Sequence, residues 1–522
     1  MTGLSSSGST QKSNLGLSIL GLFLFFCAFV TLKFAFGILI CDDAYITLSH
    51  ARAWNSGLGP IMSALNPVCA TSTPLHTMIL ALEGAVLNTE NYLVLAYTTN
   101  LFWDLVGLFF LYRIASIGLG LSAPIALATM AAYAMSVNFL AVSAYGMETP
   151  MVTALALMGT WFAYYSPAPK LGLYFVCFFA PLARPEGALL PAVLVLLNLR
   201  RGFSRPSAQG FLLWRQAFFY SLVSVLGLGC FFAFYQYAYG HWLPHSIVAK
   251  RMELHIGFLE GLRSWLVNVF YKGPSLGGIT AVTLGNLLGL VGATLGFFKL
   301  RKSSPMKSLI PWEILVWPLV YFLFFMVTRS SYILFTWYYL PVLPFLLLFL
   351  FSGLHALISL RLNEHWIWVG VFAFLIYVPL QTFRQHLPAK HRFAQEARED
   401  RYRRAGQILD SISGPNIHPL VMIDEVGALG YYSHVGILDT HGLLSPESLP
   451  YLRGGDESYF LRMAALQERY DPEWILAMRF KKDEGQWYPG EDGLYAGYVS
   501  TFILRTPAHD YNFEMWRRVA RD

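Results

Sequence analysis

The chain has 522 residues, of which 55% are hydrophobic, 16% aromatic and only 13% charged, with a formal net charge of +6. Soluble domains carry about 25% charged residues, so an ordinary soluble protein is excluded. The modest charge, with no basic stripe interleaved by aromatics, gives no support to nucleic-acid binding.

Taken in chain order, apolar runs long enough to cross about 30 Å of hydrocarbon lie at 16–40, 92–113, 122–143, 148–165, 214–239, 276–298, 310–327, 337–358 and 365–382. Two shorter runs, 171–183 and 187–199, flank Arg184 and Glu186 and read as a pair of short helices meeting at one face. The pattern predicts a polytopic α-helical membrane protein of about 11 spans, with its termini on opposite sides. Lys and Arg are retained in cytoplasmic loops. One set of short loops carries eleven of them and the opposite set seven, which puts the N-terminus in the cytoplasm. The polar start, Met1 to Asn14, leads into a first run long enough to span and without a small-residue cleavage site, and so reads as an uncleaved helix. The first loop, 41–91, the loop around Lys250 and the C-terminal part then face outward.

Only 11 of the 31 Asp and Glu residues precede Arg384, and the other 20 crowd into the last 139 positions. The chain therefore divides into a membrane part, 1–383, and a C-terminal part, 384–522, with the composition of a water-soluble domain. That part reads as helix 393–413, strand 420–423, a Gly-rich turn, a strand at 435–438, helix 457–470 and strands near 474–478 and 498–504, which is a small extracytoplasmic α/β domain. Gly427 to Gly430 lacks the spacing of a phosphate-binding loop. Acceptor recognition and turn formation compete as readings of Asp424, Tyr431, Tyr432, Asp439 and His441. Cys41 and Cys69 share the first outward loop, where they either pair or stand as unlinked small residues. Cys27, Cys177 and Cys230 fall in spans and read as packing.

The unusual groups collect on the outward face. Directly after the first span comes Cys41-Asp42-Asp43-Ala44-Tyr45-Ile46-Thr47, and a carboxylate at that depth is costly unless it is solvated, paired or functional. To the same face map Tyr145-Gly146-Met147-Glu148-Thr149, Ala183-Arg184-Pro185-Glu186-Gly187, the stretch Leu243 to Lys250, and Trp337-Tyr338-Tyr339-Leu340-Pro341. The inward loops hold almost no acid. A site facing away from the cytosol has no access to ATP or nucleotide sugars, so an enzyme there needs an activated substrate carried by lipid. It also needs a carboxylate to take a proton from an acceptor and cations to hold a phosphate leaving group.

Asp42-Asp43-Ala44-Tyr45-Ile46-Thr47, followed by Arg52, Asn55, Gly57 and Gly59 and then Thr71-Ser72-Thr73-Pro74-Leu75, resembles the signature of GT-C-type membrane glycosyltransferases. Within that superfamily the chain is most similar to the mycobacterial terminal β-(1→2)-arabinofuranosyltransferases and their bacterial relatives. Gly146 to Thr149, Arg184 to Gly187, Leu243 to Lys250 and Tyr338 to Pro341 recur in the same order, as does Gly427 to Ser433 leading to Asp439, Gly442, Leu443 and Pro446. The resemblance implies a bacterial inner-membrane enzyme with a polyprenyl-phosphate sugar donor, an Asp of the first outward loop as catalytic base, and an inverting transfer to an extracytoplasmic acceptor. The loop between Asn55 and Thr71 departs from the family, with Pro60 after Gly-x-Gly and Cys69-Ala70 before Thr71. That departure leaves sugar and acceptor open.

Asp43 or Asp42 is the candidate base. Adjacent residues rarely point the same way, so one acts as base while the other orients it, binds sugar hydroxyls or holds a divalent ion. Two acids without a His or further carboxylate nearby make a weak ligand set, so no metal residue is assigned and no cofactor beyond the lipid-linked sugar. Lys250, Arg251, Arg184 and Arg329 are candidates to hold the donor phosphate, with snorkelling as the alternative for Lys250 and a structural pair with Glu186 for Arg184. Tyr45, Arg52, Asn55, Thr71, Ser72, Glu148, Glu186, His245, Tyr338 and Tyr339 complete the candidate substrate-binding set. Glu148 also reads as a brace, Asn55 as a helix C-cap, and at least two of Trp337, Tyr338 and Tyr339 as interfacial belt residues. The competing function is a transporter or flippase of lipid-linked sugars, which should show internal repeats and ionisable residues at mid-membrane. No repeat is found, and Lys33 and Asp104 are the main mid-depth ionisable groups. A silent scaffold for envelope assembly is a third reading.

Overall fold

The structure, a computed structural model, describes residues 6–165, 171–203, 208–252, 312–327, 336–358, 364–381, 398–414, 416–452, 458–480, 497–504 and 511–519, with single positions between them. The span expected at 276–298 and Arg329 lie outside the described residues. The helical body begins with α1 (Ser6–Phe36), α2 (Asp42–Asn55), α3 (Pro74–Leu87) and α4 (Tyr92–Arg113). It continues with α5 (Ala123–Ala134), α6 (Val137–Ala144), α7 (Thr149–Tyr164), α8 (Leu171–Ala183), α9 (Leu189–Phe203) and α10 (Ala208–Tyr239). Then follow α11 (His245–Met252), α12 (Trp312–Val327), the short α13 (Thr336–Tyr339), α14 (Leu343–Ile358) and α15 (Glu364–Gln381).

Among the described residues, four helical segments are long and apolar enough to cross a membrane: Gly16–Phe36, Tyr92–Gly118, Gly210–Tyr239 and Trp337–His355. The expected run 122–143 is broken between α5 and α6 and makes a fifth if the bent pair is one span. Of the other expected runs, 148–165, 171–183 and 310–327 form helices of 16, 13 and 16 residues, below that length, and 276–298 lies outside the described residues. Large side chains that a soluble protein would hide stand exposed along the long helices, among them Phe23, Phe26 and Phe34 on α1 and Phe211, Phe218 and Val225 on α10. Hydrocarbon is the solvent that suits such a surface.

Local signals fix the elements around the start of α2. Asp42 and Asp43 occupy the first turn of α2, where the partial positive charge of the helix start favours carboxylates. Pro74 opens α3, and Asn88 ends it in a left-handed conformation at φ 47°. Asn91 caps α4 by accepting the Val94 N–H. Between α6 and α7 the chain turns at Gly146, φ 77°, where a Cβ would lie 2.7 Å from Ile40 Cδ1. Backbone bonds from Leu39 N–H to Ala144 O and from Cys41 N–H to Tyr145 O lay this turn beside the start of α2.

The C-terminal part holds α16 (Arg398–Ser413), β1 (Leu420–Ile423), α17 (Gly427–Tyr432), β2 (Gly436–Asp439), α18 (Ser458–Tyr470), β3 (Trp474–Phe480), β4 (Tyr498–Leu504) and β5 (Tyr511–Arg518). The sheet runs β2-β1-β3-β5-β4, parallel across the first three strands and antiparallel across the last three. The expected turn at 427–430 is a helix, and β5 was not predicted. Side chains alternate along each strand, so Met422 and Ile475 face Met463 and Leu466 of α18. Val421, Ile423 and Leu476 share a core with Tyr402 and Leu409 of α16 and with Tyr45, Leu48 and Ala51 of α2. One apolar core therefore crosses the boundary between the two parts.

Candidate active site

Polar contacts reinforce that shared core, and they separate the two aspartates. Asp42 is 6% exposed, and its carboxylate accepts the N–H groups of Gly427 (2.9 Å) and Ala428 (2.8 Å) at the start of α17. A Cβ on Gly427 would lie 1.9 Å from the Asp42 carbonyl oxygen, so only glycine permits the approach. Successive helix residues are turned by about 100°, so Asp43 points elsewhere. It lines an open cavity shared with Thr47, Ser72, Glu148, Arg184, Tyr338 and others. Among the described residues the Asp43 carboxylate has no hydrogen-bond or ion-pair partner.

Asp42→Asn keeps one acceptor and turns an amide N–H toward a backbone N–H. Hydrogen bonds to charged groups are worth about 1.5–3 kcal/mol each, so docking of the C-terminal part should weaken by about 2 kcal/mol. Limited proteolysis of the folded protein checks it; unchanged protection of the C-terminal part would contradict the clamp.

The segment 70–73, which also lines the cavity, packs against α2. Its Ala70 N–H donates to His50 Nε2 (3.2 Å), while His50 Nδ1 meets Ile46 O at 2.7 Å. Burial lowers the His50 imidazole to about 4, so the ring stays neutral and keeps its acceptor at neutral pH. Thr71 Oγ1 lies within 3.2–3.4 Å of the hydroxyls of Thr47, Thr73 and Thr77, and Tyr235 O–H donates to Thr71 O (2.8 Å). Thr47 follows Asp43 by four residues and so shares its face of α2.

The third wall is ionic. Arg184 stands between α8 and the one-turn helix Pro185–Ala188. Its Nη1 lies 2.8 Å from Glu148 Oε1 and its Nε 2.6 Å from Glu186 Oε1. The guanidinium sits 4.6 Å from the Tyr338 ring centre. All three charged residues are buried, so one cation serves two carboxylates. Gly187 makes this tight hairpin possible, since a Cβ there would lie 2.0 Å from Ala180 O.

Of the expected substrate contacts, Thr71, Ser72, Glu148, Arg184 and Tyr338 meet Asp43 at the cavity. Glu186 stands behind Arg184. Tyr45, Arg52 and Asn55 are engaged elsewhere. Tyr45 packs on Tyr431 and Tyr432, Arg52 donates to Tyr431 O at 2.9 Å and covers its ring, and Asn55 donates to Tyr92 Oη at 2.7 Å. Tyr339 is buried at 2% outside the lining. His245 N–H reaches Cys69 O, and its ring lies 5.0 Å from that of His241. Lys250 and Arg251 belong to α11, whose residue Ser246 lines the cavity. Cys41 and Cys69 are free thiols, the latter buried. Among the described residues no three His, Cys, Asp or Glu side chains converge on a metal position.

From the C-terminal part none of the five expected residues lines the cavity, but Leu443 does. Asp439 holds its loop, accepting the N–H groups of His441 (2.8 Å) and Leu444 (2.9 Å). Asp424 accepts the Thr440 hydroxyl. Burial raises the Asp439 carboxyl to about 6 although His441 and the backbone donors pull it down. An acid raised on folding binds its proton more tightly in the native state. Its contribution is therefore fullest below the unfolded value near 4 and is lost as pH rises through about 6. Tryptophan-monitored melting between pH 4 and 7 should show a decline that Asp439→Asn flattens, and equal slopes in both proteins would contradict it.

No family model matches the chain, and no curated protein matches it. Among solved structures it is similar to ArnT from Cupriavidus metallidurans, a structure bound to undecaprenyl phosphate, at 15% identity over 99% of each chain with a TM-score of 0.48. A likeness that loose carries no argument about activity.

Proposed function

We propose that the protein is an integral-membrane, inverting glycosyltransferase of GT-C type, moving a sugar, arabinofuranose first among candidates, from polyprenyl phosphate to an extracytoplasmic glycan, lipid or protein acceptor. The observation that carries the reading is the division of labour in the Asp42-Asp43 pair. Asp42 is committed to backbone N–H groups, and Asp43, in a hydroxyl-lined cavity, has no hydrogen-bond or ion-pair partner among the described residues. In this scheme Asp43 takes the proton of the acceptor hydroxyl as its oxygen bonds to the anomeric carbon from the face opposite the phosphate. The carbon–phosphate oxygen bond breaks, and polyprenyl phosphate leaves with the electron pair. In the same scheme Thr47, Thr71 and Ser72, which line the cavity, contact sugar hydroxyls. Arg184, already shared by Glu148 and Glu186, braces the cavity wall in this scheme, and phosphate compensation falls to Lys250, Arg251 or Arg329.

The test is transfer by the purified protein in nanodiscs, given polyprenyl-phosphoryl arabinofuranose and an oligosaccharide acceptor. The expected products are free polyprenyl phosphate and a glycoside of inverted anomeric configuration. Donor that is bound or moved across the bilayer without any transfer would replace this reading with flipping.

A further inference from the structure

Most hydroxyls around the cavity are satisfied before any ligand arrives. Those of Thr47, Thr71 and Thr73 are joined through Thr71 Oγ1, and Ser72 is partly exposed to water. Ser246 differs from all of them. It is 4% exposed, lines the cavity, and its Oγ has no hydrogen-bond partner among the described residues. The local backbone explains the orphan. A helical serine in mid-helix satisfies its hydroxyl on the carbonyl four residues earlier. Ser246 is the second residue of α11, behind Pro244, and has no helical carbonyl in that place. A buried polar group without a partner costs free energy, and at a residue that lines a cavity that cost is recovered when a ligand oxygen reaches the vacant bond.

We infer that Ser246 is a specificity-determining contact to an oxygen of the donor's phosphoryl-sugar headgroup. The inference rests on the donor class proposed above and deepens it. Asp43 of α2 and Ser246 of α11 both line the cavity, so a headgroup bound there has the base and this hydroxyl on two different helices. Lys250 follows Ser246 by one turn of the same helix.

The experiment compares wild type with Ser246→Ala in nanodiscs, measuring affinity for polyprenyl phosphate and for polyprenyl-phosphoryl arabinofuranose, and the melting temperature without ligand. Removing one hydrogen bond should weaken binding by roughly tenfold, while the ligand-free melting temperature stays level or rises because an orphan hydroxyl has gone. Weakening confined to the sugar-bearing lipid assigns the bond to a sugar hydroxyl. Equal weakening for both lipids assigns it to a phosphate oxygen, and either result supports the contact. Unchanged affinity for both lipids, or a lowered ligand-free melting temperature, overturns it while leaving the glycosyltransferase reading intact. Wild type that binds neither lipid overturns both.

Discussion

Asp43→Asn should lower sugar transfer by about 10²- to 10⁴-fold, the usual contribution of a positioned general base, while donor affinity stays within a few-fold of wild type. The substitution keeps size and polarity and removes only the capacity to take a proton. Because Asp43 makes no hydrogen bond or ion pair among the described residues, no fold contact is lost with it, and its melting temperature should match wild type. Asp42→Asn should give the converse signature, looser docking of the C-terminal part with a smaller loss of transfer. The informative readout is the pair of variants measured side by side. If Asp42→Asn abolishes transfer at full stability and Asp43→Asn does not, the roles are reversed and the Asp42 clamp is secondary to chemistry.

The sequence alone reached the cavity but not this distinction. Asp43, Glu148, Arg184 and Tyr338 are expected together because the loop charges read their segments onto one face, where polar groups are costly without a use, and Thr71 and Ser72 join them through the family resemblance. What separates Asp42 from Asp43 is a partner 385 residues away, and no local signal reports a contact of that range. The same distance hid the partners of Arg52 and Tyr45 on α17. The Gly-rich stretch 427–430 reads as a turn because glycine is a poor helix former. Gly427 is there for its close approach to α2, a reason that lies in tertiary structure. In β5, Phe513 and Met515 alternate with Asn512 and Glu514, a signal present but short. Thr47 was within reach of helical periodicity from Asp43 and was not placed in the site. Leu443 stands in the segment that resembles the family, but as an apolar residue on a loop shaped by Asp439 it carries no chemical signal of its own.

Arg184→Met should be the most damaging single change to stability, at about 3–5 kcal/mol, the cost of leaving a buried ionic partner uncompensated. Here the removed cation leaves two carboxylates, Glu148 and Glu186, buried together and repelling each other. Arg184→Lys should fall between, because a single ammonium lacks the fork that reaches Glu148 from Nη1 and Glu186 from Nε, and its compact charge stacks less well on Tyr338. The decisive comparison adds Glu148→Gln and Glu186→Gln to Arg184→Met. With no charge left in the wall, the triple variant should regain most of the lost stability, since a buried ionic cluster replaced as a whole is often close to neutral. Melting followed by tryptophan fluorescence in detergent measures each step. If Arg184→Met melts with wild type, the two glutamates are not held as charges by this arginine, and its place in the cavity wall needs another explanation. If the triple variant melts with wild type and still transfers sugar, the ionic wall serves packing alone and the chemistry rests on the α2 and α11 sides of the cavity.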